Sequence, residues 1–71
     1  MTRIAAIGER ERVRALAFAG VQVLAADEAD TARAAWRALP EDVGLVILTA
    51  AAREAVAPSD RDERLWVVMP G

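Results

Sequence analysis

Val43-Gly44-Leu45-Val46-Ile47-Leu48 (VGLVIL) is an unbroken apolar run, rich in β-branched residues and bounded by Glu41-Asp42 before it and Thr49 after it. A strand with one wet face would alternate apolar and polar residues. A strand without a polar position is covered on both sides, as in the middle of a parallel sheet. The rest of the chain is read outward from this strand. Arg3 to Ile7 (RIAAI) is a second short apolar run, ended by Gly8. Val21 to Leu24 and Leu65 to Met69 (LWVVM) read as two further strands. Helix formers fill the intervals. Arg10 to Ala19 is followed by Gly20, a candidate left-handed helix end. Ala29, Ala32, Trp36 and Leu39 fall on one helical stripe, with Asp27 as the expected N-cap and Pro40 as the stop. Thr49 is positioned to cap a short helix from Ala50 to Val56, closed by Pro58 through its restriction on Ala57. Ser59 to Arg64 (SDRDER) reads as a charged, solvated loop.

The order β-α-β-α-β-α-β with right-handed crossovers predicts an α/β fold: a four-stranded parallel sheet, order 2-1-3-4, flanked by helices. At 71 residues the chain is one domain, 1–71. A chain this short buries only about 60% of its unfolded surface. It has no cysteine and no histidine, so disulfides, thiolate metal sites and imidazole chemistry are excluded. All nine basic residues are arginine, against eleven acids, and the formal net charge is −2. That balance gives no basic stripe for a nucleic acid. No segment has the ~20 apolar residues of a spanning helix, and the N-terminus lacks the pattern of a secretion signal. A cytoplasmic protein without membrane insertion is expected.

Cofactor chemistry fares poorly. A dinucleotide turn needs G-x-G-x-x-G, but Gly8-Glu9-Arg10-Glu11-Arg12-Val13 supplies only the first glycine, and Glu9 would repel a phosphate. A phospho-acceptor site needs carboxylates clustered at strand ends around a divalent cation. Here strand one is followed by Glu9 alone, strand three ends in Thr49, strand four in Pro70, and there is no lysine. Glu41 and Asp42 are neighbours in a turn and point apart rather than converging as an acid/base pair. No catalytic, cofactor-binding or metal-binding residue is assigned. Gly8, Gly20 and Gly44 are assigned backbone roles: a tight turn, a helix end and close packing. Arg10, Arg12 and Arg14 alternate with Glu9 and Glu11, which fits a solvated helix face or a partner-binding edge. Phe18 lies off the stripe of Val13, Leu16 and Ala17. Right-handed crossovers also place one helix on one face of the sheet and two on the other, so part of the first face, over strands three and four, is expected to be bare, exposing either Leu45/Ile47 or Val46/Leu48 with Trp66/Val68 or Val67/Met69, the alternative being that the Ser59 to Arg64 loop folds back over them. Arg10, Arg14, Phe18, Trp66 and Val68 are the candidate partner-binding residues. Self-association through the bare face is a further expectation.

Four segments also resemble, in order and at matching spacing, the small central-stalk subunit of the A-type and V-type rotary ATPases. Ile4-Ala5-Ala6-Ile7-Gly8-Glu9-Arg10 is similar to that family's I-A-V-I-G-[DE]-[RK] start. Leu16-Ala17-Phe18-Ala19-Gly20-Val21 is similar to F-R-L-A-G-V, with Leu16 and Phe18 in place of the family's Phe and Leu. Glu41 to Thr49 is similar to the D-[IV]-G-[IL]-I-L-[IL]-T strand, and Val67 to Gly71 to the closing strand that ends in I-P. The resemblance implies a Rossmann-like or flavodoxin-like topology and a non-catalytic role in the stalk. Such a protein binds the stalk's coiled-coil subunit and helps couple ATP hydrolysis or synthesis to rotation and proton transport, in the cytoplasm at the periphery of the membrane. Family members continue into a C-terminal helical segment to which these residues have no counterpart, and the resemblance therefore carries over the globular part and not that segment's regulatory role. The alternatives from the residues themselves are a generic α/β adaptor and a small flavodoxin-like ligand-binding domain.

Overall fold

In the computed structural model, which describes residues 3–58 and 64–70, the strands are β1 (Arg3–Gly8), β2 (Gln22–Ala25), β3 (Val43–Leu48) and β4 (Leu65–Val68). They form one parallel sheet in the order β2-β1-β3-β4. The sequence-based topology and order hold. The charged stretch expected as a solvated loop lies outside the described residues, apart from Arg64. Arg64 donates from Nη2 to the carbonyls of Leu39 (3.1 Å) and Pro40 (2.8 Å), tying the entry of β4 to the end of the second helix.

Register assigns each strand residue to a face, because partners across parallel strands point the same way. Leu24, Ile7, Leu48 and Val68 are in line, as are Gln22, Ala5, Val46 and Trp66. These rows face α2 (Ala29–Arg37) and α3 (Ala50–Val56). Ala5, Ile7, Val46 and Leu48 are buried there with Ala32, Leu39 and Ala52. Trp36 and Trp66 pack on the margin of this core. The opposite rows are Val23, Ala6, Ile47 and Val67, and Ile4, Leu45 and Leu65. α1 (Arg10–Val13) and the 3-10 helix that continues it, Arg14–Ala19, pack on the β1/β2 half of that second face. Ala6 and Val13 are fully buried there.

Gly44 has its role through register. Arg3 aligns with Val43, but the next residue, Ile4, aligns with Leu45, so β3 carries one extra residue at Gly44. Such a bulge favours glycine. It lets Val43 turn into the core as do Val46 and Leu48, which strict alternation would forbid.

Two details of the sequence reading are corrected. Arg10 to Ala19 is not a continuous α-helix: it tightens to 3-10 winding after Val13. With three residues per turn, Val13, Leu16 and Ala19 align in one row, and Phe18 is rotated away from the sheet. Asp27 does not cap α2, whose first turn follows Glu28 without a side-chain cap. The Ala26 N–H bonds to the Gly8 carbonyl (2.7 Å), which brings Asp27 over the start of α1 instead. There Asp27 Oδ1 accepts from the Arg10 N–H at 3.1 Å. The Ala57 end of α3 is left-handed (φ 47°, ψ 59°), and its N–H returns to the Arg53 carbonyl.

Candidate functional site

Two regions of the fold could carry function: the carboxyl edge of the sheet, where β1 and β3 send their chains in opposite directions, and the bare half-face over β3 and β4. In an open parallel sheet the first is where ligands bind.

At the carboxyl edge, Gly8 ends β1 and Thr49 follows β3. The Thr49 N–H donates to the Ile7 carbonyl at 3.2 Å. The Thr49 side chain is fully buried and uses its hydroxyl twice. It accepts from the Ala52 N–H at 3.3 Å, capping α3 as the sequence predicts, and it donates to Glu9 Oε1 at 2.5 Å. Glu9 Oε2 is in turn 3.5 Å from Arg12 Nε. The hydroxyl's hydrogen bond is the largest influence on Glu9. Together with a backbone N–H, and helped least by the Arg12 guanidinium, it holds the carboxyl below its usual value against the opposing effect of desolvation. Glu9 is thus a fixed anion, committed to Thr49 and Arg12, and is poorly suited to take up a proton near neutrality.

Beside it lies a cavity of about 130 Å³ walled by Ala26, Ala29, Ala52 and the acidic residues Glu9, Asp27 and Glu28. Ligand pockets are usually about 300–1,000 Å³ with convergent polar groups. This one is smaller, its walls are mostly methyl groups, and its charges repel anions. Among the described residues no three His, Cys, Asp or Glu side chains are arranged to hold a metal ion.

The second region is apolar. Leu45 and Ile47 of β3 are half-buried. Leu65 is 72% exposed, Val67 48% and Ile4 39%. Among the described residues, no helix lies over this half of the face. Among the described residues the phase of the expected bare surface is fixed: it is the Leu45/Ile47 set with Leu65/Val67.

The sequence candidates divide accordingly. Trp66 does not line the bare face. It points to the helix side, packs on the core, and lies under the Arg53 guanidinium, 5.9 Å from the ring centre. Val68 shares the Trp66 face and is 40% exposed at its rim. Arg10, Arg14 and Phe18 are all exposed on the helix that flanks the bare half. Arg12 reaches Glu9, which is bonded to Thr49 at the end of β3, so Arg12 marks the β3 flank of that helix. At about 100° per residue, Arg10 and Arg14 fall on the other side of Val13, toward β2. With 3-10 winding at about 120°, Phe18 returns to the β3 flank. It is 95% exposed. Of the candidates, Phe18 alone is a large apolar side chain exposed on that helix, whose 3-10 part packs on β2. Ile4, Leu65 and Val67 belong to the bare surface; sequence reasoning offers Val67 as one of two phases of strand four and misses Ile4 and Leu65.

Comparison with protein-family models, with curated proteins and with solved structures gives no match. No helix among the described residues is long and apolar enough to cross a membrane.

Proposed function

We propose that this chain is a non-catalytic interaction subunit, and specifically a small central-stalk subunit of a V/A-type proton-translocating ATPase or ATP synthase. In this role it binds the stalk's coiled-coil subunit and helps couple ATP hydrolysis or synthesis to rotation, from a cytoplasmic position at the periphery of the membrane. The observation that carries the interaction reading is the bare β3/β4 half-face, whose leucine and valine side chains are solvent-exposed in the free chain. A contiguous exposed apolar patch of several hundred Å² commonly marks an interface. The more specific assignment rests on the sequence resemblance. It is supported by the way the four resembling segments fall: at β1 and its turn, at the 3-10 helix end before β2, at β3, and at β4.

Co-expression with the coiled-coil stalk subunit of a rotary ATPase, taken from the same cell, tests the assignment. Co-elution as a 1:1 complex, lost in Val67→Asp, is the expected result. Absence of any complex with a well-folded chain would overturn the rotary-stalk assignment, and the generic adaptor reading would replace it.

A further inference from the structure

The two edges of the sheet differ. β2, at one edge, exposes no large apolar side chain, whereas β4, at the other, exposes Leu65, Val67 and Val68. Charged residues, proline, a bulge or a covering element usually guard an edge strand against pairing with another chain. β4 is Leu65-Trp66-Val67-Val68, without charge or proline, and it runs along β3 in unbroken register. Among the described residues its shortness is its one guard. The direction of its backbone groups follows from a single hydrogen bond. The Met69 N–H donates to the Leu48 carbonyl at 2.8 Å, so Met69 turns its backbone toward β3. Successive residues of a strand turn their N–H and C=O groups to alternate sides. Leu65 and Val67 therefore face β3 too, and Trp66 and Val68 present their N–H and C=O groups outward, where no described residue pairs with them. The next outward residue, Pro70, has no N–H and ends the row of donors.

We propose that a second copy of this chain pairs with this edge, β4 antiparallel to β4, about a two-fold axis that passes beside Val67 perpendicular to the sheet. Two four-stranded sheets become one sheet in the order 2-1-3-4-4-3-1-2. The contact is made by backbone at the edge and leaves the bare half-face open, so it goes beyond the stalk reading and does not depend on it.

Three observations select this occupant. The first is the chemistry of the edge. Outward donors and acceptors in a row are met by another extended backbone, whereas a helix uses its backbone groups internally. The second is register. Antiparallel strands alternate between residue pairs that exchange both hydrogen bonds and pairs that exchange none. With the axis at Val67, Trp66 stands opposite Val68 of the other copy, and Val68 opposite its Trp66. Both residues face outward, so each pair exchanges both bonds, and the outward groups of Trp66 and Val68 are met on both chains. One pair further on, Trp66 would face Pro70, which has no N–H. One pair back, Val68 would face Arg64, which is tied to the Leu39 and Pro40 carbonyls. The third is the side chains. On the helix side Trp66 lies beside Val68 of the other copy, an aromatic and β-branched pair of the favourable kind. On the bare side Val67 meets Val67, and Leu65 lies opposite Met69. A two-fold contact sets a patch against itself, and no charge lies between Leu65 and Met69 to face its own copy. Arg53 stays over its own Trp66 ring. α2 and α3 pack on β1 and β3, so the helix layers of the two copies stay two strands apart. The paired length is short, which places the contact among weak, transient interfaces.

Sedimentation equilibrium from low micromolar to millimolar concentration reads the mass of the untagged chain. The expected result is a reversible rise toward twice the monomer mass. Amide hydrogen exchange followed by NMR locates the contact without any substitution. The Val67 and Met69 amides face β3 and should be protected at every concentration. Protection of the Trp66 and Val68 amides should rise at least tenfold from the dilute to the concentrated end. Val67→Lys and Val67→Glu each set like charges together at the axis and are expected to stay monomeric. Mixed one to one, they are expected to recover a heterodimer, because Lys then stands opposite Glu. Val68→Pro removes an outward donor where an edge strand accepts proline, and it is expected to be monomeric with a wild-type far-UV circular dichroism spectrum. Should a variant fail to fold, the exchange measurement on the wild type decides alone. A wild-type chain that is monomeric at every concentration overturns the pairing and leaves the stalk reading standing. A dimer whose Trp66 and Val68 amides stay unprotected, or one that survives Val68→Pro, overturns it as well. A dimer with these amides protected and no affinity for a stalk coiled coil supports the pairing while removing the stalk reading.

Discussion

Gly8 and Thr49, forty-one residues apart in sequence, occupy the same space at the carboxyl edge: a Cβ on Gly8 would lie 2.2 Å from Thr49 Cγ2, 2.5 Å from its Oγ1 and 2.9 Å from its Cβ. Thr49 cannot swing away, because its hydroxyl is held by both Glu9 and the Ala52 N–H. The glycine is therefore required by a close approach between strand ends. Gly8→Ala is expected to destabilise the fold by about 1–3 kcal/mol, the cost of overpacking. Thr49→Gly removes all three opposing atoms while keeping an acceptable N-cap residue. In urea unfolding, the Gly8→Ala/Thr49→Gly double variant should be more stable than the sum of the two single effects predicts. Simple additivity would show that the clash is relieved elsewhere.

The same contact makes stability depend on pH. Glu9 has a lowered pKa in the folded chain, mainly through the Thr49 hydrogen bond. A lowered folded-state pKa means that the unfolded chain binds protons more readily. The stabilisation is then fully present above the ordinary glutamate value of 4.5 and is lost as pH falls through the lower folded value. Unfolding midpoints measured from about pH 6 to about pH 3 should fall more steeply for the wild type than for Glu9→Gln. Parallel curves for the two proteins would mean that the hydrogen bond contributes nothing measurable.

Gly20 presents the opposite case to Gly8. Nothing lies within 4 Å of a Cβ built there, but its φ is +80°. Any cost of Gly20→Ala thus comes from the backbone alone, about 1 kcal/mol. Gly20→Asn should cost less, since asparagine tolerates the left-handed region. Thermal denaturation should rank the wild type above Gly20→Asn, and Gly20→Asn above Gly20→Ala. Any other order would contradict this account.

These glycines show what is legible in the sequence. Gly20 follows a helix-forming run, and its left-handed conformation is a local property that composition reveals. The role of Gly8 depends on Thr49, a contact created only when β1 and β3 pair, and the sequence alone suggests a tight turn. Gly44 reads as a packing residue inside VGLVIL. Its function as a bulge is visible only through the register of Ile4 against Leu45. Strand order follows from the alternation of strands and helices. The phase of β4 does not, because Leu65 to Met69 is apolar at every position, and a run without polar residues does not reveal which side is in. This is why the sequence points to Trp66 and Val68 for the partner surface in place of Leu65 and Val67. It points Asp27 to the nearer helix because capping is read along the chain, whereas the fold delivers this residue across space to Arg10.

That phase gives the sharpest contrast between neighbouring residues. Trp66 packs against the core beneath Arg53, while Leu65, one residue earlier, points into solvent on the opposite side. Replacing a large side chain at a core site with alanine costs about 3–5 kcal/mol when burial is complete. Trp66 is only partly buried, so Trp66→Ala should cost less, about 2 kcal/mol. Leu65→Ala removes a side chain that the monomer leaves 72% exposed, and exposed substitutions usually change stability by less than about 0.5 kcal/mol. The comparison belongs at the lowest concentration that Trp36 fluorescence can follow, where self-association adds least to apparent stability. If Leu65→Ala proved as destabilising as Trp66→Ala in the dilute monomer, Leu65 would be a core residue and the bare face would be closed.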